Sequence, residues 1–392
     1  MRILVTDGNS RASLAITRSL GRKGHEVHVA CDTEASLAGS SKYCALRHTY
    51  PDPAVDRNGF LDAIEALVTD NAFDILVPAT DVSVLPIARH RERIERHCLV
   101  PLPSSDTIEL AADKARISKL AAEIGVATPR TLQVEADETA TVDFPTYPVV
   151  IKPSRSRVRT DSGWLFTGVD YAADHSELSR KLAALPQAAF PVLLQERIPG
   201  PGVGVFYCFD RGRRIATFAH RRLHEKPPSG GVSVLRESVA PHELANSFGI
   251  KLLESIGWHG VAMVEFKLDE RDGIPKLMEI NGRFWGSLQL AIDAGVDFPD
   301  LLVRIASGES VETVPDYKLG VRSRWLWGEV DLLLLFLLKS RDELQLPEGH
   351  DSRLVSALKT INPFIRGQKL EVLRLTDIRP WLHESRCWFS GQ

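Results

Sequence analysis

The sequence lacks the features that would tie it to nucleic acid, to a membrane surface or to an oxidising compartment. Its charges nearly balance, with 48 Lys and Arg against 51 Asp and Glu, so the chain has no global attraction for polyanions. The five cysteines are scattered, and no two have the spacing of a metal knuckle or a redox pair. Such cysteines are typical of reduced thiols in a cytoplasmic protein. We therefore expect a cytoplasmic protein with no nucleic-acid partner and no membrane partner.

Targeting signals and long apolar runs are also missing. The strongest apolar run, at 332–338, is far shorter than the roughly 20 residues that span a bilayer. Residues 2–6 (RILVT) read as a strand, so we expect no secretory leader before them. With 392 residues, 44% hydrophobic and 25% charged, the composition is that of a globular protein of two or three domains.

Alternating strand and helix patterns over residues 1–112 predict a Rossmann-like α/β domain with a parallel, doubly wound sheet. Ligands of such sheets bind at the carboxyl ends of the strands, where Gly8, Thr80 and Asp81 fall. A dinucleotide-binding turn needs three glycines at fixed offsets, and the turn at 8–13 has only Gly8. An NAD-type site is therefore not expected. The predicted strands lie at 2–6, 26–30 and 74–78, and the predicted helices follow Gly8 and cover 60–69.

The pattern changes near residue 113, and residues 113–310 predict an α+β domain built around an antiparallel sheet. A C-terminal helical or mixed extension follows at residues 311–392. Its run at 332–338 predicts a helix that is apolar on all sides, which we expect to be buried against the body or a second subunit. A homodimer is one arrangement that would bury it.

The segment 276–287 (KLMEINGRFWGS) places a glutamate inside an apolar strand, where a carboxylate needs a partner. Glu265 lies in the preceding strand, and the polar turn between the two predicts an antiparallel hairpin with Glu265 beside Glu279. Asn281 and Arg283 continue the same face, because side chains alternate along a strand. Two carboxylates and an amide oxygen suit Mg²⁺, and an arginine suits a phosphate oxygen. The alternative is an exposed sheet face on which the glutamates pair with Lys267 and Lys276.

With this set the chain resembles the ATP-grasp superfamily, which includes biotin carboxylase, D-alanine–D-alanine ligase and the large chain of carbamoyl-phosphate synthetase. The resemblance covers about residues 1–310. It implies an ATP-grasp fold that follows a Rossmann-like domain, with ATP and Mg²⁺ (or Mn²⁺) as cofactors. It also implies that Glu265, Glu279 and Asn281 hold the metal and that Arg283 contacts the terminal phosphates.

The resemblance implies further nucleotide contacts, which can be matched one at a time. Lys114 opens a helix and Lys152 follows an apolar strand, as the phosphate-binding lysines of the family do; solvated lysines are the alternative. The lid over the phosphates would be residues 154–168, with Gly163 and Gly168, although a polar loop is an alternative. The adenine-binding hinge would be Gln195, Glu196, Arg197 and Ile198. Residues 202–204 after it hold no acid for the ribose hydroxyls.

A basic cluster at 219–237 contains Arg221 and Arg222 and a glycine pair, Gly230 and Gly231. A glycine pair between basic strands can bind an anion, and a solvated hairpin is the alternative. The resemblance implies that a basic residue of this cluster stabilises the transferring phosphoryl group. The sequence does not decide between the two arginines.

The resemblance implies an ADP-forming ligase that activates a small carboxylate as an acyl-phosphate and joins it to an amine. Chemistry of this kind relies on positioning and electrostatics and needs no protein nucleophile, which agrees with the lack of a Ser/His/Asp or Cys/His set. Two alternatives remain: a carboxylase or carbamoyl-phosphate-type ATP-grasp enzyme, and an ATP-binding regulatory protein without turnover.

Overall fold

The computed structural model describes residues 1–139, 142–153, 157–160, 163–166, 169–228, 231–341, 343–344, 346, 352–361 and 368–391. None of the helices within these ranges has the length and apolar character of a membrane span.

The N-terminal part forms the parallel sheet that the sequence predicts. Its strand order is β3-β2-β1-β4, and all neighbours are parallel. The first helix begins where the Ser10 side chain accepts hydrogen bonds from two backbone N–H groups, and it buries the apolar face that includes Ile16 and Leu20. The elements are β1 (Arg2–Val5), α1 (Arg11–Arg22), β2 (Glu26–Cys31), β3 (Cys44–Thr49), α2 (Arg57–Asn71), β4 (Ile75–Val77), α3 (Asp81–Arg89), α4 (Arg91–Ile94) and α5 (Ser105–Ala112).

A small antiparallel sheet of order β5-β10-β6-β9 follows, and β7 and β8 form a separate two-stranded hairpin between β6 and β9 in the chain. The apolar core of the four-stranded sheet packs against helix α7. The elements are α6 (Lys114–Glu123), β5 (Thr131–Val134), β6 (Val149–Pro153), β7 (Arg157–Thr160), β8 (Gly163–Phe166), β9 (Asp170–Ala172), α7 (His175–Ala184), a 3₁₀ turn (Gln187–Ala189) and β10 (Val192–Glu196).

The largest sheet has seven strands in the order β15-β14-β11-β12-β13-β16-β17. Its strands pair antiparallel except β16 and β17, which are parallel. The elements are β11 (Gly202–Asp210), β12 (Arg213–Lys226), β13 (Val232–Ser238), α8 (Glu243–Ser255), β14 (Gly260–Leu268), β15 (Pro275–Asn281), α9 (Leu288–Ala294), α10 (Phe298–Ala306), β16 (Arg322–Arg324), α11 (Leu326–Leu338), α12 (Arg353–Ile361), β17 (Gln368–Leu370) and α13 (Arg379–Ser390).

The two faces of the large sheet pack against different parts of the chain. One face packs against α6 and α8 through side chains such as Tyr207 and Phe266. The other face, with Phe206 and Met263, shares a core with β1, α1, α9 and α10. We call this second face the inner face. Because it is shared, the N-terminal sheet is fixed against the large sheet, with the carboxyl end of β4 beside the last residues of β15.

The C-terminal extension is joined to the body in two ways. Strands β16 and β17 extend the large sheet, and Arg18 in α1 forms a buried ion pair with Asp377 at 2.8 Å. Helix α11 packs against the body of the protein on one side. Leu332 and Phe336 are buried, whereas Leu337 and Leu338 are 54% and 78% exposed, because only one side of α11 faces the sheet and α12.

Candidate functional site

The centre of the site is a pair of carboxylates on adjacent strands of the large sheet. Glu265 in β14 lies directly opposite Glu279 in β15, as the hairpin spacing predicts. Their partners are not the lysines of the exposed-face alternative. Arg222 Nη2 donates to Glu265 Oε1 at 2.9 Å, and Lys114 Nζ lies 3.1 Å from Glu279 Oε2.

The end of β15 carries the amide and the guanidinium of the site. Asn281 Nδ2 donates to Glu279 Oε1 at 2.9 Å, and Arg283 Nη2 donates to Asn281 Oδ1 at 3.1 Å. Gly282 stands between them because a Cβ there would lie 2.7 Å from the ring of Trp258, a distance that no side chain tolerates. The turn that presents Arg283 therefore depends on this glycine.

Electrostatics hold the site carboxylate of Glu279 in its ionised form. Burial alone would raise its pKa, but the Lys114 ammonium, the Asn281 amide and the Arg283 guanidinium outweigh burial and hold the pKa below its ordinary value. The carboxylate is thus charged at neutral pH, as a metal ligand must be.

Alternation along β12 separates the two arginines of the basic cluster. Arg222 points to the inner face, where its side chain is 26% exposed and bonds Glu265 and Glu225. Arg221 points away, is 61% exposed and pairs with Glu237. The sequence does not decide between the two arginines, and the structure places Arg222, not Arg221, beside Glu265, since adjacent strand residues face opposite sides.

Two lysines approach the site, Lys152 from β6 of the small sheet and Lys114 from helix α6. Lys114 is the first residue of α6, where Asp113 caps the helix. Lys152 Nζ donates to Gln195 Oε1 at 2.5 Å. Burial, with a contribution from the Lys114 charge, lowers the pKa of Lys152 to about 8.

The predicted adenine hinge is ordered by contacts within the protein. Gln195 is buried in β10, and Glu196 ends that strand and pairs with Arg271 at 2.7 Å. The backbone carbonyl of Ile198 accepts from Lys267 Nζ at 3.3 Å. Arg197 lies over the Tyr171 ring at 5.8 Å. In the sequence analysis Lys267 is considered only as an ion-pair partner of a glutamate. The structure places it in contact with the predicted hinge instead.

The predicted lid and the glycine pair are only partly described. Gly163 begins β8 of the β7-β8 hairpin, whereas Gly168 lies outside the described residues. Gly231 directly precedes β13, and Gly230 lies outside the described residues.

The structure adds residues that the sequence did not assign to the site. Asp81, at the start of α3, accepts from Arg283 Nε at 2.9 Å, so the N-terminal part of the chain reaches this arginine. His220 lies under the Trp285 loop, with its Nε2 2.9 Å from Ser287 Oγ. Burial and the charges of Arg236 and Arg222 keep the pKa of His220 well below its ordinary value, so this histidine is neutral. The sequence indicated a role for Asp81 only through its position after a predicted strand, at the edge where parallel sheets bind ligands.

The donor set fits a hard divalent cation. Within the described ranges, no three His, Cys, Asp or Glu side chains cluster in a way that would hold a metal by themselves. The candidate ligands are the carboxylates of Glu265 and Glu279 and the amide of Asn281, which are oxygen donors. Mg²⁺ prefers such donors and commonly completes its shell with water and with phosphate oxygens.

Comparison with known proteins identifies a family model and several solved structures. The model described as "ATP-grasp in the biosynthetic pathway with Ter operon" matches residues 189–329. No curated protein matches the chain in sequence. The L-amino acid ligase of Bacillus licheniformis is similar in structure, with a TM-score of 0.62 and 17% identity over 79% of this chain and 75% of that chain.

Two further solved structures are similar. N5-carboxyaminoimidazole ribonucleotide synthetase of Thermus thermophilus has a TM-score of 0.59 and 16% identity, over 82% of this chain and 81% of that chain. The biotin carboxylase domain of Hydrogenobacter thermophilus 2-oxoglutarate carboxylase, solved with MgADP and bicarbonate, has a TM-score of 0.61 and 17% identity. That match covers 82% of this chain and 73% of that chain. At these identities the similarity establishes a common fold.

Proposed function

Because the chain has the ATP-grasp fold, we propose that it is an ADP-forming ligase that activates a carboxylate with Mg-ATP and joins it to an amine. One observation carries the proposal: Glu265 and Glu279 lie opposite each other at the centre of a group of cationic side chains. Two carboxylates in such a position suit a metal, and the cations suit phosphates.

In the proposed reaction, a carboxylate oxygen of the substrate attacks the γ-phosphorus of ATP and ADP leaves. The amine nitrogen then attacks the carbonyl carbon of the acyl-phosphate, phosphate leaves, and the nitrogen loses a proton. Negative charge on the phosphoryl oxygens is met by Arg222, Arg283 and the lysines, which act by position and charge.

Glu265, Glu279 and Asn281 would hold Mg²⁺. When bound, the ion neutralises phosphate charge and fixes the orientation of the phosphates. The protein residues around it supply the rest of the electrostatic environment. Lys152 approaches from the small sheet and Lys114 from helix α6, and Arg283 is held by its bond to Asp81.

A carboxylase-type reaction, with bicarbonate as the carboxylate, is a second candidate. It is favoured by the similarity to a biotin carboxylase domain that holds bicarbonate with MgADP. The two candidates differ in the co-substrate that ADP release requires.

The experiment is a screen of carboxylate and amine pools, scored by ADP release and by product mass. We expect ADP release that requires one carboxylate and one amine together, and no release with Glu279→Gln. The matched control is Glu270→Gln, an exposed glutamate in the turn of the same hairpin, which should keep wild-type activity. Release that depends on bicarbonate alone would favour the carboxylase reaction. ATP binding without ADP release from any pool would favour a regulatory protein.

A further inference from the structure

The candidate metal ligands are already engaged by cations and amides of the protein. Glu265 Oε1 accepts from Arg222, and Glu279 Oε2 is paired with Lys114. The other Glu279 oxygen accepts from Asn281, whose own amide oxygen accepts from Arg283. We call Lys114, Arg222 and Arg283 the internal cations.

The ion pairs around these ligands oppose a free divalent ion. Glu265 is paired with Arg222 and Glu279 with Lys114, so the charge of each candidate carboxylate ligand is already matched by a protein cation. The four side chains of the two ion pairs are only 22–33% exposed, so water screens them less than it screens surface pairs. A metal ion that entered alone would compete with a protein cation at each carboxylate and would remain near these positive charges.

We propose that the internal cations keep the metal site closed to free metal and that nucleotide phosphates open it, so that metal binding is conditional on the nucleotide. This inference rests on the proposed function. It assigns Lys114 and Arg222 two alternating partners: a carboxylate before the nucleotide binds and a phosphate afterwards.

The contacts of the internal cations allow this exchange. Guanidinium and ammonium groups bind phosphate oxygens as readily as carboxylate oxygens, and a nucleotide brings more negative charge than the two carboxylates. Arg222 keeps an anchor at Glu225, at 3.0 Å, and Arg283 keeps one at Asp81, at 2.9 Å. These anchors hold the guanidinium groups near the site while Glu265 and Asn281 turn to the metal.

Direct binding measurements test the inference without turnover. Mn²⁺ binding is followed by the loss of the free-ion EPR signal, and ADP binding is followed by calorimetry in EDTA. Wild-type protein should bind ADP in EDTA and should bind Mn²⁺ at least about tenfold more tightly with ADP than without it. The Mn²⁺ held by ADP in a protein-free control is subtracted.

Substitution of the internal cations should have opposite effects on the two ligands. The double variant Lys114→Met, Arg222→Met should bind Mn²⁺ without nucleotide at least about tenfold more tightly than wild type, and metal-free ADP at least about tenfold more weakly. The matched control is Lys119→Met, Arg221→Met, which removes the same charges from an exposed position on α6 and from the other face of β12. Both affinities should stay at wild-type values in this control.

The outcomes separate the inference from the proposed function. If wild type binds Mn²⁺ equally well with and without ADP, the inference is wrong even though ADP binds. A folded double variant with unchanged Mn²⁺ affinity also contradicts it. Failure of ADP to bind under any condition contradicts the proposed function and the inference together. The wild-type comparison requires no substitution, so a double variant that failed to fold would leave the inference testable.

Discussion

Arg221 and Arg222 are neighbours in sequence, yet they face opposite sides of the large sheet. We expect Arg222→Ala to lower kcat by at least about 100-fold, because a cation that faces a developing phosphoryl charge is lost. Arg221→Ala removes an exposed partner of Glu237, which keeps its bond from Arg322, and should lower kcat by less than about twofold. Steady-state kinetics of the two variants, with circular dichroism as a check of folding, measure the difference. Equal losses in both would contradict the assignment of the inner face as the active face.

Lys152 predicts a pH dependence of nucleotide binding. Its pKa of about 8 lies below the ordinary 10.5 because the ammonium is buried. The buried charge therefore destabilises the folded chain below pH 8, and this cost is relieved as the pH rises from about 8 towards 10.5. The affinity for phosphate should fall over the same pH range, because the neutral Lys152 amine no longer attracts an anion.

We expect the dissociation constant for ADP in EDTA to rise by up to about tenfold per pH unit above 8. The measurement is calorimetry between pH 7 and pH 9.5. Lys152→Met should bind ADP weakly at all pH values and should lose this pH dependence. A wild-type affinity that stays constant across the range would show that the Lys152 charge does not contribute to binding.

From the sequence, two site residues could be placed next to each other only where they lie in the same local element. The hairpin between Glu265 and Glu279 is local, so its length and polar turn are enough to place the carboxylates side by side. The contact of Arg283 with Asp81 spans 202 residues, and no local pattern encodes it. The separation of Arg221 from Arg222 follows from strand alternation, but only once the inner face is known.

The β7-β8 hairpin is the element whose order should depend on ligand. It pairs with no other strand among the described residues, and an isolated two-stranded hairpin has marginal stability. We expect hydrogen exchange over 157–160 and 163–166 to slow at least about tenfold when ADP and Mg²⁺ bind, because phosphate contacts would add to the pairing of the two strands. Peptides from β11, at the centre of the large sheet, are the control and should not change. Unchanged exchange in the hairpin would argue against its role as a lid.

Elements were predictable where their pattern is long and periodic. Helix α1 and strands β1 and β2 agree with the sequence prediction because their apolar faces are buried as periodicity requires. Strands β16 and β17 have three residues each, which is too short for any period. Helix α11 shows a different limit: a run of leucines indicates a helix but does not say which side is covered.

One buried ion pair joins the first helix to the C-terminal extension. Arg18 and Asp377 have side chains that are 1% and 0% exposed. Burial alone would raise the pKa of Asp377, but hydrogen bonds from Arg18, Lys42 and Ser41 outweigh burial and hold the pKa below 3.8. The pair therefore stabilises the fold above about pH 4, and this contribution is lost as the pH falls through the lowered pKa.

We expect Asp377→Asn to lower the free energy of unfolding by about 3–5 kcal/mol at pH 7, since it leaves a buried guanidinium without its counter-charge. The loss should shrink as the pH falls from about 4 through the lowered pKa of Asp377, because the wild-type carboxylate then becomes protonated, first in the unfolded chain and then in the folded one. Thermal and urea unfolding in a pH series that starts at pH 7 and passes below this lowered pKa measures both effects. The control is Asp316→Asn, at an exposed position, which should change stability by less than about 0.5 kcal/mol. Equal stability of Asp377→Asn and wild type at pH 7 would contradict the role of the pair.

The long sequence separation between Arg18 and Asp377 affects how the protein can fold during its synthesis. Among the described residues, the Arg18 guanidinium donates to four acceptors in the segment 371–377, the Asp377 carboxylate and three backbone carbonyls. A ribosome that adds 5–20 residues per second needs about 20–70 s to travel the 359 residues from Arg18 to Asp377. Throughout that interval the first helix carries a charge that it cannot bury favourably. The N-terminal domain therefore cannot reach its final packing as it emerges, and the nascent protein completes its fold only after nearly all of it has left the ribosome.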